Sequence, residues 1–154
     1  MTQHSKKRRR THSSVNLERE DEGTHRLTRA RTVVSITGKT YTLKATDEQP
    51  AGCSGEQYLY RNNASRLLAF VSVLPDGRKE TRYHCECSDG DAVSTGWYRQ
   101  EEILPRPPRL LYGLDKLAAS QDKPVVLVDT EGLVERAQAL FSEAVIVSMM
   151  SGAG

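Results

Sequence analysis

Residues 123–148 read KPVVLVDTEGLVERAQALFSEAVIVS, and more of the architecture is legible in this run than anywhere else in the chain. Val125 to Val128 is a short apolar, mostly β-branched stretch, the pattern of a strand buried on both faces. Leu133, Val134, Ala137, Leu140 and Phe141 then recur at three- and four-residue spacing, which marks one face of a helix. Ala144 to Val147 repeats the buried-strand pattern. Strand, helix and strand in so short a span predict a parallel β-α-β crossover, right-handed on general grounds, with Val125–Val128 as an interior strand delivering Asp129 to the mouth of the sheet. The Ala144–Val147 strand is expected to carry the unpaired edge, to be covered by a partner, a second copy or the upstream strands.

Upstream of this unit, Pro105, Pro107 and Pro108 remove backbone donors and forbid regular structure. Leu110, Leu111, Leu114, Leu117 and Ala118 follow at helical spacing, predicting a short helix that ends near Ser120. Before the prolines, Tyr58–Arg61, Arg66–Leu74 and Arg78–Cys87 read as three strands. They are separated by the polar turn Asn62-Asn63-Ala64-Ser65 and by Pro75-Asp76-Gly77, so an antiparallel meander is expected. Ser88 to Gly96 reads as a loop, with Trp97-Tyr98-Arg99 as a further short strand. Thr32 to Ile36 and Tyr41 to Leu43 flank the turn material Thr37-Gly38-Lys39-Thr40 and predict a hairpin, and Asp47 to Gly55 reads as linker.

Met1 to Arg31 is polar and charged throughout, opening with Lys6, Lys7, Arg8, Arg9 and Arg10 and turning acidic at Glu18, Glu20, Asp21 and Glu22. Such a segment cannot bury enough apolar surface to offset its ordering entropy and reads as a disordered arm. The fold class is therefore α+β or α/β. Residues 1–31 form the arm, 32–104 a small antiparallel β region, and 105–154 a helix plus a partial parallel β-α-β unit.

The chain has 154 residues and a net charge of +2, too small by itself to draw phosphates over a distance. Its mean hydropathy of -0.58 allows a modest core. Three cysteines, Cys53, Cys85 and Cys87, are an odd set without an apolar signal-peptide core, which fits a reducing cytoplasm better than a disulfide framework. No apolar run approaches the roughly 20 residues of a membrane span.

A family resemblance rests on Tyr60-Arg61-Asn62, Arg66-Leu67-Leu68, Pro75-Asp76-Gly77-Arg78-Lys79-Glu80, Gly96-Trp97, the Pro105 to Pro108 run, Leu111-Tyr112-Gly113-Leu114-Asp115-Lys116-Leu117-Ala118-Ala119, and Lys123-Pro124-Val125-Val126-Leu127-Val128. In that order they resemble the lead-in and first β-α-β unit of the Toprim (topoisomerase/primase) module of phage, prophage or plasmid primases and primase-helicases. The resemblance implies nucleotidyl transfer on DNA. A glutamate ending the first strand would act in acid/base chemistry, and a downstream Asp-x-Asp pair would hold Mg²⁺ against phosphate oxygens. In register, Asp129 stands in that glutamate's place and Glu131 in that of a second glutamate, so Asp129 and Glu131 are the candidate catalytic residues and Asp129 the candidate metal ligand.

The sequence departs from the family here, with Asp129-Thr130-Glu131-Gly132 in place of a Glu-Gly-Glu-Lys run, so a basic phosphate contact is lost. The shorter aspartate also shifts the carboxylate, and about 1 Å of displacement can cost roughly a hundredfold in rate. Ser151 to Gly154 resembles the glycine turn after the family's second strand, so the Asp-x-Asp strand would come later. Without it, one or two carboxylates do not hold Mg²⁺ tightly. The expectation is a truncated primase-like protein of a mobile element, not catalytically complete alone, acting on DNA or supporting a separately encoded primase or helicase portion. The alternative is a non-enzymatic module that binds nucleic acid or protein.

Several other motifs admit a functional reading. Lys6 to Arg10 can neutralise phosphates without sequence preference, or be a solvated tail. His84-Cys85-Glu86-Cys87 offers zinc ligands, yet alternation on a strand puts both sulfurs on one face and His84 on the other. Gly38-Lys39-Thr40 lacks the upstream glycine of a phosphate-binding loop and reads as a hairpin turn. Trp97 beside Tyr98 and Arg99 suits base stacking, though a lone strand tryptophan is more often core. Asp129, Glu131 and Glu135 at the start of a helix are also accounted for by its dipole, without catalysis.

Overall fold

The computed structural model describes residues 32–34, 38–51, 55–103 and 109–150. The basic run Lys6–Arg10, Cys53, the prolines 105, 107 and 108 and the terminal glycine turn lie outside them. Two sheets make up the structure. The first, antiparallel throughout, contains β1 (Thr32–Val34), β2 (Thr40–Leu43), β3 (Gln57–Arg61), β4 (Leu67–Val73), β5 (Lys79–Asp89) and β6 (Ala92–Arg99). The second contains β7 (Leu111–Tyr112), β8 (Val125–Val128) and β9 (Val145–Met149), with the helices α1 (Leu114–Ala119) and α2 (Glu131–Leu140). The fold is thus α+β, a curled antiparallel sheet beside a small mixed one.

β5 organises the first sheet because it is long enough to serve three neighbours. Along one edge, Lys79–Tyr83 pairs with β4 and Cys85–Ser88 with β2, while β6 runs along the other edge from Arg82 to Asp89. Sharing an edge between two strands curls the sheet, and the bridge Thr46↔Leu67 closes the gap between them. Local chemistry fixes the turns. Asn62 Oδ1 accepts from the backbone N–H of Ala64 and Arg66 (3.0 and 2.9 Å), and Asp76 Oδ1 from that of Arg78 (3.0 Å). The inward face carries Tyr41, Tyr58, Tyr60, Ala69, Val71, Tyr83, Cys85 and Cys87, a core built largely of tyrosine.

The expected hairpin and meander are present, but the expected loop over Ser88–Gly96 is not. β5 runs on to Asp89, turns through Gly90 and Asp91, and returns as β6. Gly90 takes φ +60°, as a two-residue hairpin turn requires. Ala92 to Thr95 are exposed, so this strand has no apolar alternation to announce it.

In the second sheet β8 and β9 are parallel, Val125↔Val145 to Val128↔Ser148, with α2 crossing between them. Three expectations need correction. First, β8 is an edge strand, not an interior one: Val125, Val126 and Leu127 are 50, 42 and 63% exposed, whereas Val145 to Ser148 on β9 are buried. Second, β9 is joined on its other side at the carboxyl end, where Leu111 and Tyr112 leave the expected helix to pair antiparallel with Met149 and Ser148. Gly113, at φ +87°, separates that strand from α1. Third, α2 buries Glu131 and Val134 and leaves Leu133, Leu140 and Phe141 exposed, so its inward face is turned from the apolar one. Gln138 supports that orientation, donating to Ala144 O (3.0 Å) and accepting from Ile146 N–H (3.2 Å).

The sheets meet through aromatic rings. Tyr112 on β7 lies edge-on to Tyr58 and Tyr60 on β3, with centroids 5.8 and 5.4 Å apart, and the Tyr83 hydroxyl reaches Met150 Sδ at 3.0 Å. No helix of the described residues is long and apolar enough to cross a membrane.

Gly113 is a closely packed turn, since a Cβ there would sit 3.1 Å from the Ile146 carbonyl oxygen, whereas one at Gly90 would meet open space. Gly113→Ala should therefore lower unfolding stability by about 2 kcal/mol or more and Gly90→Ala by roughly 1 kcal/mol, the cost of a left-handed residue alone. Urea midpoints for the two variants check this.

Candidate functional site

Thr130, extended at φ −135° and ψ 156°, accepts the first backbone bonds of α2, so the helix begins at Glu131 with its side chain turned inward. Gly132 follows, and its lack of a Cβ lets the Tyr58 hydroxyl approach, since a Cβ would lie 3.2 Å from that oxygen. The Glu131 side chain is wholly buried between the two sheets. Its Oε1 accepts from the Tyr60 hydroxyl at 2.5 Å, and its Oε2 from the Lys79 ammonium at 3.0 Å. Tyr60 comes from β3 and Lys79 from the first position of β5, so one carboxylate joins three elements. Lys79 Nζ also lies 5.7 Å from the centre of the Tyr58 ring. One turn further on, Glu135 accepts from the Tyr112 hydroxyl at 2.6 Å, a second tie between α2 and the tyrosine layer.

Removing a carboxylate from water is costly unless charge and hydrogen bonds replace the lost hydration. Here an ammonium, a phenol and the positive end of α2 do so together. The tyrosines register the same environment. Burial, then the hydrogen bond to Glu131, holds the Tyr60 phenol far above its ordinary range. Burial and the Glu56 carboxylate push Tyr58 up to about 12, and burial chiefly does the same for Tyr83. Tyr112 is raised by burial and by Glu135.

Chemically, the arrangement is a sequestered anion. Both Glu131 oxygens receive donors, and the Lys79 ammonium repels any cation approaching them. Asp129, the other acid expected at the strand's end, is exposed. This donor set does not suit Mg²⁺, which needs several accessible oxygens. No group of three or more His, Cys, Asp or Glu among the described residues is placed to hold a metal ion.

The remaining motifs resolve as structural parts. Cys85 and Cys87 are free thiols in the core, burial pushing the Cys85 thiol up to about 12, while His84 faces the other way and bonds the Lys44 carbonyl through Nδ1 at 2.8 Å. Trp97 lies with its ring centroid 5.0 Å from those of Phe70 and His84, joining a small aromatic cluster on the opposite face of the sheet. Lys39 ion-pairs with Asp89 at 3.1 Å. Tyr60 and Lys79, the residues that hold Glu131, carry no signal of that role in the sequence.

Comparison with protein-family models, with curated proteins and with solved structures finds no match.

Two measurements test this description. Glu131→Ala leaves Lys79 and Tyr60 facing an apolar gap and should cost about 3–5 kcal/mol, as for one partner removed from a buried pair, while the exposed Asp129→Asn should stay within roughly 0.5 kcal/mol. The tyrosines predict alkaline lability. Above about pH 10 the unfolded chain releases phenolic protons that the native state retains, so stability falls as pH rises towards 12. Native tyrosine ionisation followed at 295 nm should lag that of the urea-unfolded chain; coincident curves would exclude buried phenols.

Proposed function

We propose that this chain is a non-enzymatic binding module that attaches to nucleic acid through the Lys6–Arg10 run, with the two sheets as its folded anchor. The observation supporting this reading is the state of Glu131. An acid that is fully buried and occupied by Tyr60 and Lys79 is a structural tie and is not open to substrate, metal or water. Five adjacent cations in one run are a means of displacing counterions from a phosphate backbone.

A second reading stays in view because β8 and β9 are parallel with a helix between them and Asp129 is exposed at the carboxyl end of β8. That arrangement favours a Toprim-type protein of a mobile element, acting with a primase or helicase partner in the cytoplasm. In that case Asp129 would serve only when the partner supplies the remaining oxygen ligands for Mg²⁺.

Fluorescence anisotropy with single-stranded DNA, duplex DNA and RNA separates the two. Replacing Lys6, Lys7, Arg8, Arg9 and Arg10 by Gln should weaken binding at least tenfold and flatten its salt dependence by roughly one unit of slope per cation lost. Asp129→Asn should bind as the parent does. Unchanged binding after the five replacements would sink the binding-arm proposal. Mg²⁺-dependent primer synthesis abolished by Asp129→Asn would establish the second reading.

A further inference from the structure

β8 is the outer strand of the second sheet, and no described residue pairs with its free side. Its inner side is occupied. Val145 N–H donates to the Pro124 carbonyl at 2.8 Å, and the parallel register from Val125↔Val145 onward turns the peptide groups of Val126 and Val128 towards β9 as well. By alternation, the N–H and C=O of Val125 and Leu127 point outward. Pro124, whose missing donor would otherwise interrupt pairing, faces β9 and removes nothing from the outer edge. An exposed apolar strand with free backbone groups is a template for another strand.

We infer that the strand completing this edge is β8 of a second copy of the chain, antiparallel about a two-fold axis at Val126. Pairing must set outward-pointing residues opposite one another. The register centred on Val126 does so, placing Val125 against Leu127 of the other copy, and Leu127 against Val125. Lys123 and Asp129 lie equally far from Val126 on either side, and alternation puts them on the same face as Val125 and Leu127. The same register therefore brings Lys123 of each copy opposite Asp129 of the other. Shifting by two residues loses this match: centring on Val125 sets Lys123 against Leu127, and centring on Leu127 sets Asp129 against Val125. Charge complementarity thus selects one register, and opposite charges directly across an antiparallel pair stabilise it. In the free chain the Lys123 ammonium bonds only the Ser142 carbonyl among the described residues, at 3.1 Å, leaving donors for a carboxylate.

The product is one continuous sheet of six strands, β7-β9-β8-β8-β9-β7, with both α2 helices on the same side. Apolar side chains now in water, Val125, Val126 and Leu127, are covered by their counterparts. The contact is isologous and closes on itself, so it forms a dimer and not a filament. A four-residue strand pair is smaller than a standard interface of about 800 Å² per partner, so association should be concentration-dependent.

Sedimentation of the full chain across about 1–200 μM should show a monomer–dimer equilibrium. In a Cys53→Ser background, Val126→Cys should form a disulfide-linked dimer under mild oxidation. It lies on the axis as a non-hydrogen-bonded pair, whose Cα separation of about 4.5 Å a disulfide can span. Val125→Cys and Leu127→Cys should not cross-link to themselves. Lys123→Asp should abolish dimerisation, and adding Asp129→Lys should restore it; circular dichroism confirms that each variant is folded. A monomer at every concentration, cross-linking through position 125 or 127 in preference to 126, or no rescue by the charge exchange would each overturn the inference.

Discussion

A carboxylate withdrawn from water must find donors, and at the first residue of α2 those donors come from strands of the other sheet. Glu131 receives the phenol of Tyr60 and the ammonium of Lys79, so α2, β3 and β5 are held together at one point. The second sheet is otherwise thin, with three strands, a two-residue β7 and an outer strand open to solvent. Its attachment depends on this polar tie and on the tyrosine rings around it. Such a tie is not a strong net source of stability compared with a well-packed apolar contact, but it is specific, because breaking it strands a charge in the interior.

Tyrosine suits the junction for the same reason. Tyr58, Tyr60, Tyr83 and Tyr112 supply apolar rings to the core, while their hydroxyls reach Glu56, Glu131, Met150 and Glu135. A phenylalanine layer would leave those acids unmatched, and a serine layer would not fill the space between the sheets. The tie also distinguishes two acids that lie two residues apart in the sequence. Asp129 stays exposed to solvent, whereas Glu131 gives up its accessibility to hold the fold, so only one of the pair is available for chemistry.

Much of the architecture is legible in the sequence where local chemistry and pattern agree. Asn62 and Pro75-Asp76-Gly77 mark the turns of the meander, and the periodicity of residues 123–148 gives a parallel crossover whose strands pair as expected. The failures share a cause: neighbours distant in sequence decide them. An apolar β-branched run looks the same at an edge as in a sheet centre, so β8 reads as interior. Leu111 and Tyr112 sit at helical spacing, yet β9 offers them a free side. β6 pairs through its backbone while its first four side chains face solvent, which leaves no pattern to read. At the site, the acids at the end of β8 are conspicuous, but Tyr60 and Lys79 lie 71 and 52 residues before Glu131 and nothing local connects them.

The most direct measurement of the Glu131 tie is a double-mutant cycle between Glu131→Gln and Tyr60→Phe, repeated with Lys79→Met, read by urea unfolding. If the carboxylate joins the sheets as described, each pair should be coupled by about 1 kcal/mol or more. Effects that add within roughly 0.3–0.5 kcal/mol would show that the three residues do not act together, and the junction would have to rest on the aromatic contacts alone.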